Sequence, residues 1–211
     1  MGHLFPEMPL FRIMLTGGTH MQLRFATEAD APALLAIYRQ YLDTPITFEC
    51  AVPTEEEFAA RVRDISGVYP YLVCEDGGEV IGYAYAHRQA ERAAYQWNAE
   101  LSIYLDREAR GRGVGRRLYG ALMELLRLQG IRTVYALVTV PNPASEGLHR
   151  SMGFRCMGVQ RSTGYKDGAW RDVAWFEKAV GTYDEAPAPL RPLREVPRER
   201  VLKILEEASE T

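Results

Sequence analysis

The sequence predicts an α/β protein: one domain on a central, mixed, twisted sheet of about seven strands, with about four helices and a C-terminal extension. Three observations carry that expectation. Short stretches that alternate apolar and polar residues recur between stretches with helical spacing. Their order is strand, two helices, three strands, helix, strand, helix, two strands, which is not the regular βαβ winding of an all-parallel sheet. Between the last of the three strands and the long helix runs Arg107-Glu-Ala-Arg-Gly-Arg-Gly-Val-Gly-Arg-Arg117. Glycines placed there expose backbone N–H groups at a helix start, where unpaired amides and the helix dipole both favour a phosphate.

Residues 21–26 alternate and read as the first strand. Thr27-Glu28-Ala29-Asp30 opens a helix with acids in its first turn. Residues 31–42 continue it, with Leu34, Leu35, Ile37, Tyr38 and Leu42 at helical spacing, and Pro45 is expected to end it. Thr54-Glu55-Glu56-Glu57 resembles a capped start for a second helix to about residue 65. Residues 71–74 and 80–87 are strands around the turn Asp76-Gly77-Gly78, and residues 97–105 are a further strand. Residues 114–129 form the central helix, closed by Gly130. Residues 133–140 are a β-branched strand, Pro141-Asn142-Pro143 breaks the chain, and residues 144–151 are a short helix. Residues 154–165 and 169–178 pair as a hairpin around Lys166-Asp167-Gly168.

Three segments follow: an N-terminal extension (1–20), the main domain (21–180), and a Pro/Ala-rich arm with a short helix (181–211). Val201, Leu202, Ile204 and Leu205 give that last helix one apolar side, to pack on its own domain or on another subunit. Residues 1–20 are broken by Pro6, Glu7, Pro9 and Arg12 and lack a signal-peptide core. Of the 211 residues, 47% are apolar and 25% charged, as in an ordinary soluble protein. The net charge of −3 gives no general pull toward nucleic acid or an anionic membrane. Cys50, Cys74 and Cys156 are odd in number and far apart, with no CxxC pair or Cys/His cluster. Neither a metal site nor a disulfide framework is expected, and a cytoplasmic setting fits.

The turn matches neither GxxxxGK[ST] nor GxGxxG. Taken alone it is also compatible with a solvated, charged helix start. Arg110-Gly111-Arg112-Gly113-Val114-Gly115 does resemble the pyrophosphate-binding motif [Gln/Arg]-x-x-Gly-x-[Gly/Ala] of the GNAT superfamily of acetyl-CoA-dependent N-acyltransferases. Residues 24–38 look like that family's opening strand and helix, and residues 142–154 like its second cofactor motif. Further features resemble the phosphinothricin/methionine sulfoximine acetyltransferase-like branch. They are Thr47-Phe48-Glu49, Arg92-x-x-Tyr95-x-Trp97-x-x-Glu100-x-x-x-Tyr104, Leu148-His149-x-x-x-Gly153-Phe154, and Gly164-Tyr165-Lys166-Asp167-Gly168-x-Trp170-x-Asp172-Val173.

The resemblance implies a GNAT fold and an acetyl-CoA-dependent N-acetyltransferase with no metal. Its acceptor would be the α-amine of a small amino-acid-like molecule, and transfer would be direct. Gly111, Arg112, Gly113, Val114, Gly115 and Arg116 would hold the pyrophosphate, with charge added by Arg110, Arg112, Arg116 and Arg117. The backbone of Ser102, Ile103 and Tyr104 would hold the pantetheine arm like an added strand, with an N–H polarising the thioester carbonyl. Asn142 would bond to the same arm. Glu100 would be the general base. His149 would be an acid or base near the sulfur, or a packed structural histidine. Phe48, Arg92, Tyr95 and Trp97 would line the acceptor side, with Arg92 holding a carboxylate. Gln89 departs from the aromatic residue common in the branch, which leaves the acceptor side chain open. A homodimer is implied. Two other readings stand beside this one: the same chemistry on a polyamine, aminoglycoside or protein N-terminus, and a non-catalytic acetyl-CoA-binding module.

Overall fold

The structure, a computed structural model, describes residues 21–210; the N-terminal extension expected at residues 1–20 lies outside the described residues. The elements run β1 (Gln22–Phe25), α1 (Ala31–Arg39), α2 (Glu55–Ser66), β2 (Tyr71–Asp76), β3 (Glu79–Arg88), β4 (Asn98–Leu105) and α3 (Val114–Gln129). They continue with β5 (Thr133–Val140), α4 (Pro143–Ser151), β6 (Arg155–Lys166), β7 (Ala169–Ala179) and α5 (Arg198–Glu210). The strands form one mixed sheet in the order β1-β2-β3-β4-β5-β7-β6. Only β4 and β5 run parallel; every other neighbouring pair is antiparallel.

Alternation along the strands divides the core. On one face Leu72, Ala84, Leu101, Val134 and Ala136 meet α3 through Leu118, Leu122, Leu125 and Leu126. On the other, Tyr71, Val73 and Tyr83 meet α1 and α2 through Leu34, Leu35, Phe58 and Val62. Each buried leucine or phenylalanine contributes roughly 1.5–3 kcal/mol, so both layers hold the sheet firmly. At the start of α2 the capping box closes: Glu57 N–H donates to Thr54 Oγ1 at 3.1 Å and Thr54 N–H to Glu57 Oε2 at 2.8 Å.

α1 ends at Arg39, well before Pro45. From there Tyr41 N–H bonds back to Tyr38 O and Thr44 N–H to Tyr41 O, so the chain tightens into turns instead of continuing the α-helix. Gln40 holds that exit in place, donating to Asp106 Oδ2 at 2.7 Å and accepting from Arg107 N–H at 3.0 Å. This ties the end of α1 to the end of β4.

The C-terminal segment folds onto the same domain. Trp97 Nε1 donates to Ala188 O at 2.8 Å, and Arg132 pairs with Asp184 at 2.8 Å. Val201 and Leu205 of α5 join the core on the α3 side. Arg117, in the first turn of α3, donates to Ser209 O at 2.8 Å, and Leu23 N–H on β1 donates to Ser209 Oγ at 2.9 Å.

Candidate active site

The parallel pairing of β4 with β5 covers only three registers, Asn98↔Thr133, Ala99↔Val134 and Glu100↔Tyr135. Beyond Glu100, β4 pairs with β3 alone and β5 with β7 alone. The sheet therefore opens between Leu101–Leu105 on one side and Ala136–Val140 on the other. Each lip presents backbone groups that the ladder leaves unpaired, and an extended, amide-bearing ligand satisfies such an edge as an added strand. Ser102, Ile103 and Tyr104 lie on the β4 lip.

The glycine turn stands where β4 leaves the slot. Gly111 and Gly113 have φ of 75° and 84°, the left-handed region that disfavours side chains, and Gly113 is the N-cap of α3. A Cβ at either would meet nothing within 4 Å, so the space before the turn is open. At the start of α3 the N–H groups of Val114 and Gly115 have no backbone acceptor among the described residues, whereas Arg116 N–H bonds to Gly113 O at 3.0 Å. Gly115 serves packing instead: a Cβ there would lie 3.1 Å from Leu148 Cδ2, so glycine lets α3 close on α4.

The arginines of the turn divide. Arg107 donates to Gln40 O, Arg112 pairs with Asp76 at 2.5 Å, and Arg117 holds α5. Arg110 lies over the Tyr41 ring at 5.3 Å and Arg116 donates to Ser151 Oγ at 3.1 Å. Neither Arg110 nor Arg116 has a carboxylate partner among the described residues, and both are exposed. Asn142 caps α4, its Oδ1 accepting from Ser145 N–H at 3.2 Å; its side-chain amide donor has no partner among the described residues.

Glu100 stands where the pairing stops. Its side chain is 21% exposed, and its Oε1 lies 3.6 Å from Nε2 of His87, the residue directly across on β3. Burial raises the Glu100 carboxyl above the ordinary glutamate value, and the His87 imidazole opposes the rise. On the same face Tyr85 stands opposite Ser102 in the β3–β4 register, and Tyr104 packs edge-on to Tyr38 at 5.0 Å and against Tyr83 at 5.4 Å. Tyr104 is thus built into an aromatic stack. Burial raises its hydroxyl far above the usual tyrosine range.

His149 is 2% exposed. Its Nδ1 lies 2.7 Å from Ser145 O, which can only accept, so the proton sits on Nδ1 and Nε2 accepts from Tyr119 O–H at 3.3 Å. The ring stacks on Phe176 at 5.3 Å and meets Phe154 edge-on at 5.1 Å. Burial holds its pKa below the usual value. The arrangement is that of a neutral imidazole joining α4 to α3.

The four acceptor-side residues are not brought to one point. Phe48 lies on Gly164 of β6, where even a Cβ would come within 2.4 Å of its ring. Its loop is fixed by the buried Lys166, whose Nζ donates to Thr44 O at 2.9 Å and Thr47 O at 2.6 Å, and by a bond between Thr47 and Tyr38 hydroxyls. Arg92 and Tyr95 are exposed in the loop joining β3 to β4, at the Glu100 end of that hairpin, and no hydrogen bond or ion pair joins either to Glu100. Trp97 turns its indole N–H to the C-terminal arm. Sequence reasoning missed His87 and Lys166. The alternation of residues 80–87 already puts His87 on the face of Tyr83 and Tyr85, whereas Lys166 beside a hairpin turn carries the signature of an exposed residue.

Residues 23–175 match the family described as the acetyltransferase (GNAT) domain. The chain belongs to the GNAT acetyltransferases. It is 34% identical over 177 residues to a phosphinothricin N-acetyltransferase of Streptomyces viridochromogenes, covering 83% of this chain and 94% of that one. It is 35% identical to an L-methionine sulfoximine/L-methionine sulfone acetyltransferase of Pseudomonas paraeruginosa, covering 78% and 98%. A GNAT superfamily phosphinothricin acetyltransferase of Sinorhizobium meliloti, solved in complex with acetyl-CoA, superposes with a TM-score of 0.75 at 37% identity, covering 83% of this chain and all of that one.

This GNAT protein is an acetyl-CoA-dependent N-acetyltransferase. Its chain fits that co-substrate in three independent places: an unpaired strand edge, two positive-φ glycines with open space before them, and helix N–H groups without intrahelical acceptors. Among the described residues no group of three or more His, Cys, Asp or Glu is arranged to hold a metal, and no helix is long and apolar enough to cross a membrane.

Proposed function

We propose that this enzyme acetylates the α-amine of a small amino-acid-like substrate of the phosphinothricin, methionine sulfoximine or methionine sulfone type, by direct transfer in a ternary complex. The observation that carries this reading is the position of Glu100, a mostly covered carboxylate at the point where β4 and β5 part. The names of the two relatives described above support the acceptor class.

Acetyl-CoA supplies a thioester carbonyl activated toward an amine. Gly111, Gly113, Val114 and Gly115 donate backbone N–H groups to its pyrophosphate, with charge from the Arg110 and Arg116 side chains. Arg112 contributes its backbone, its side chain being held by Asp76. Ser102, Ile103 and Tyr104 pair with the pantetheine amides, and the Asn142 side-chain amide donates to the same arm. An N–H of the β4 lip polarises the carbonyl oxygen. Glu100 removes a proton from the substrate ammonium, which must be neutral to attack. His149 acts by position, fixing α4 against α3, and not as the acid or base. Arg92 draws the acceptor carboxylate, and Phe48 and Tyr95 line its path. Trp97 shapes that wall indirectly, by anchoring the arm.

The C-terminal segment belongs with the acetyltransferase domain. Two chains associate through the β6 edge, whose hairpin exposes Tyr165 at 60% and Trp170 at 64%. Three unpaired cysteines are in keeping with the cytoplasm. Glu100→Gln is the direct test of the base: turnover at neutral pH falls by about a hundredfold or more while acetyl-CoA affinity holds. Unchanged turnover removes Glu100 from the mechanism.

A further inference from the structure

Acetylating an ammonium with a thioester leaves an amide, a neutral thiol and one proton that must reach solvent in every turnover. Glu100 can accept that proton, but its side chain is only 21% exposed, so it needs an exit. His87 faces Glu100 in register across β3 and β4, Nε2 to Oε1 3.6 Å, with its side chain 38% exposed. Its Nδ1 lies 3.1 Å from Arg88 O. A carbonyl only accepts, so in the neutral ring Nδ1 carries the hydrogen and the Nε2 lone pair faces the carboxyl. That is the tautomer a proton acceptor needs, and the separation lies within reach of a small side-chain adjustment or one bridging water.

We propose that His87 receives the amine-derived proton from Glu100 and releases it to water. This rests on the reading of Glu100 as base. The substrate N–H breaks as the Glu100 O–H forms. That O–H breaks as Nε2–H forms, giving an imidazolium beside a carboxylate. The exposed ring then gives one proton to water, and both groups return to their starting states. The charges around the pair allow this. Tyr85 is the ring neighbour on β3, with centroids 6.1 Å apart, and Glu100 is the facing group on β4. Arg61 of α2 and Glu49 of the Phe48 loop neutralise each other at 2.7 Å, and Arg88 is turned to Glu91. Among the described residues, His87 is the one titratable side chain within ion-pair distance of Glu100.

Two measurements decide the proposal. The first needs no acceptor. Carbon-13 NMR titration of the Glu100 side-chain carboxyl, assigned by its loss in Glu100→Gln, is compared between wild type and His87→Gln. Losing the facing imidazole, which opposes the rise that burial causes, moves the Glu100 midpoint further up; an unchanged midpoint overturns the pair. The second is turnover of methionine sulfone by His87→Ala. The rate falls about tenfold or more, acetyl-CoA binding by calorimetry is unchanged, and added imidazole restores the rate saturably. Undiminished turnover, or a loss that imidazole does not restore, overturns the relay. If wild type itself ignores methionine sulfone, the acceptor class has failed rather than the relay, and the same rescue is read on whichever amine the enzyme does acetylate.

Discussion

Burial acts on Glu100 and His149 in opposite directions, because it disfavours a negative charge on the first and a positive charge on the second. For His149 the sign leads to a stability prediction. Its folded pKa lies below the unfolded value of about 6.5, so the unfolded chain binds the proton more readily. Its contribution is complete above about pH 6.5 and is lost as pH falls through the folded pKa. The melting temperature therefore drops on acidification from about pH 6.5, and the drop is shallower in His149→Gln, as scanning calorimetry at several pH values will show. An equal acid slope in the two proteins would mean that His149 does not titrate differently on folding. At this scale Glu100, the proposed base, could be singled out in the sequence because a motif surrounds it. His87 could not be, since its partner lies across a hairpin whose connecting loop runs through nine residues, 89–97, and sets a register that no local pattern encodes. The aromatic neighbours of His149 come from α3, β7 and the turn before β6, and its burial could not be read from the short helix that carries it.

Among the elements, α3 and β5 coincide with the expected residues 114–129 and 133–140. Both have sharp local ends: Gly130 closes α3 with φ of 100°, and Pro141 follows β5. Less local rules govern α1 and β6. α1 stops early because Gln40 is claimed by Asp106 and Arg107. β6 shows two register shifts where its sequence reads as a plain strand, and the second ends at Gly164, the glycine on which Phe48 rests. The slot is likewise invisible in β4 alone, because it arises from the divergence of two strands separated by a helix. The turn that opens α3 is the element whose demand is sharpest. A valine at 113 must adopt a left-handed backbone at a cost of roughly 1–2 kcal/mol or abandon it. Gly113→Val accordingly weakens acetyl-CoA binding by about tenfold or more in calorimetry; normal affinity would mean that the turn does not hold the pyrophosphate.

At the scale of the whole molecule, the residues proposed to hold the acetyl donor gather at the sheet opening, α3 and α4, whereas those proposed to hold the acceptor are spread over separate loops. Lys166 holds the Phe48 loop, and Trp97 holds the arm. Arg92 and Tyr95 are left at the surface, the arrangement expected where a partner surface or a bound acceptor completes the wall. The exposed β6–β7 hairpin is the counterpart on the outside of the fold. Sedimentation at micromolar concentration should therefore return the mass of two chains, and Trp170→Glu that of one; a monomeric wild type would remove the proposed interface. The reaction class and its co-substrate were readable in the sequence, because glycines at a helix start and the motifs around them leave local signatures. The acceptor was not, because the residues proposed to meet it lie in two loops, one after α1 and one between β3 and β4, whose approach no local pattern encodes.

The identity of that acceptor is therefore the property to measure first. Initial rates of CoA-thiol release should be measured on one panel: methionine sulfone, methionine sulfoximine, phosphinothricin, a polyamine, an aminoglycoside and a peptide N-terminus, for wild type and Arg92→Ala. The kcat/KM for at least one of the three amino-acid analogues should exceed that for every amine outside that class by about a hundredfold. Arg92→Ala should raise the KM of that analogue by about tenfold with little change in kcat. A polyamine, aminoglycoside or peptide turned over best, with Arg92→Ala indistinguishable from wild type, would contradict the proposed acceptor class.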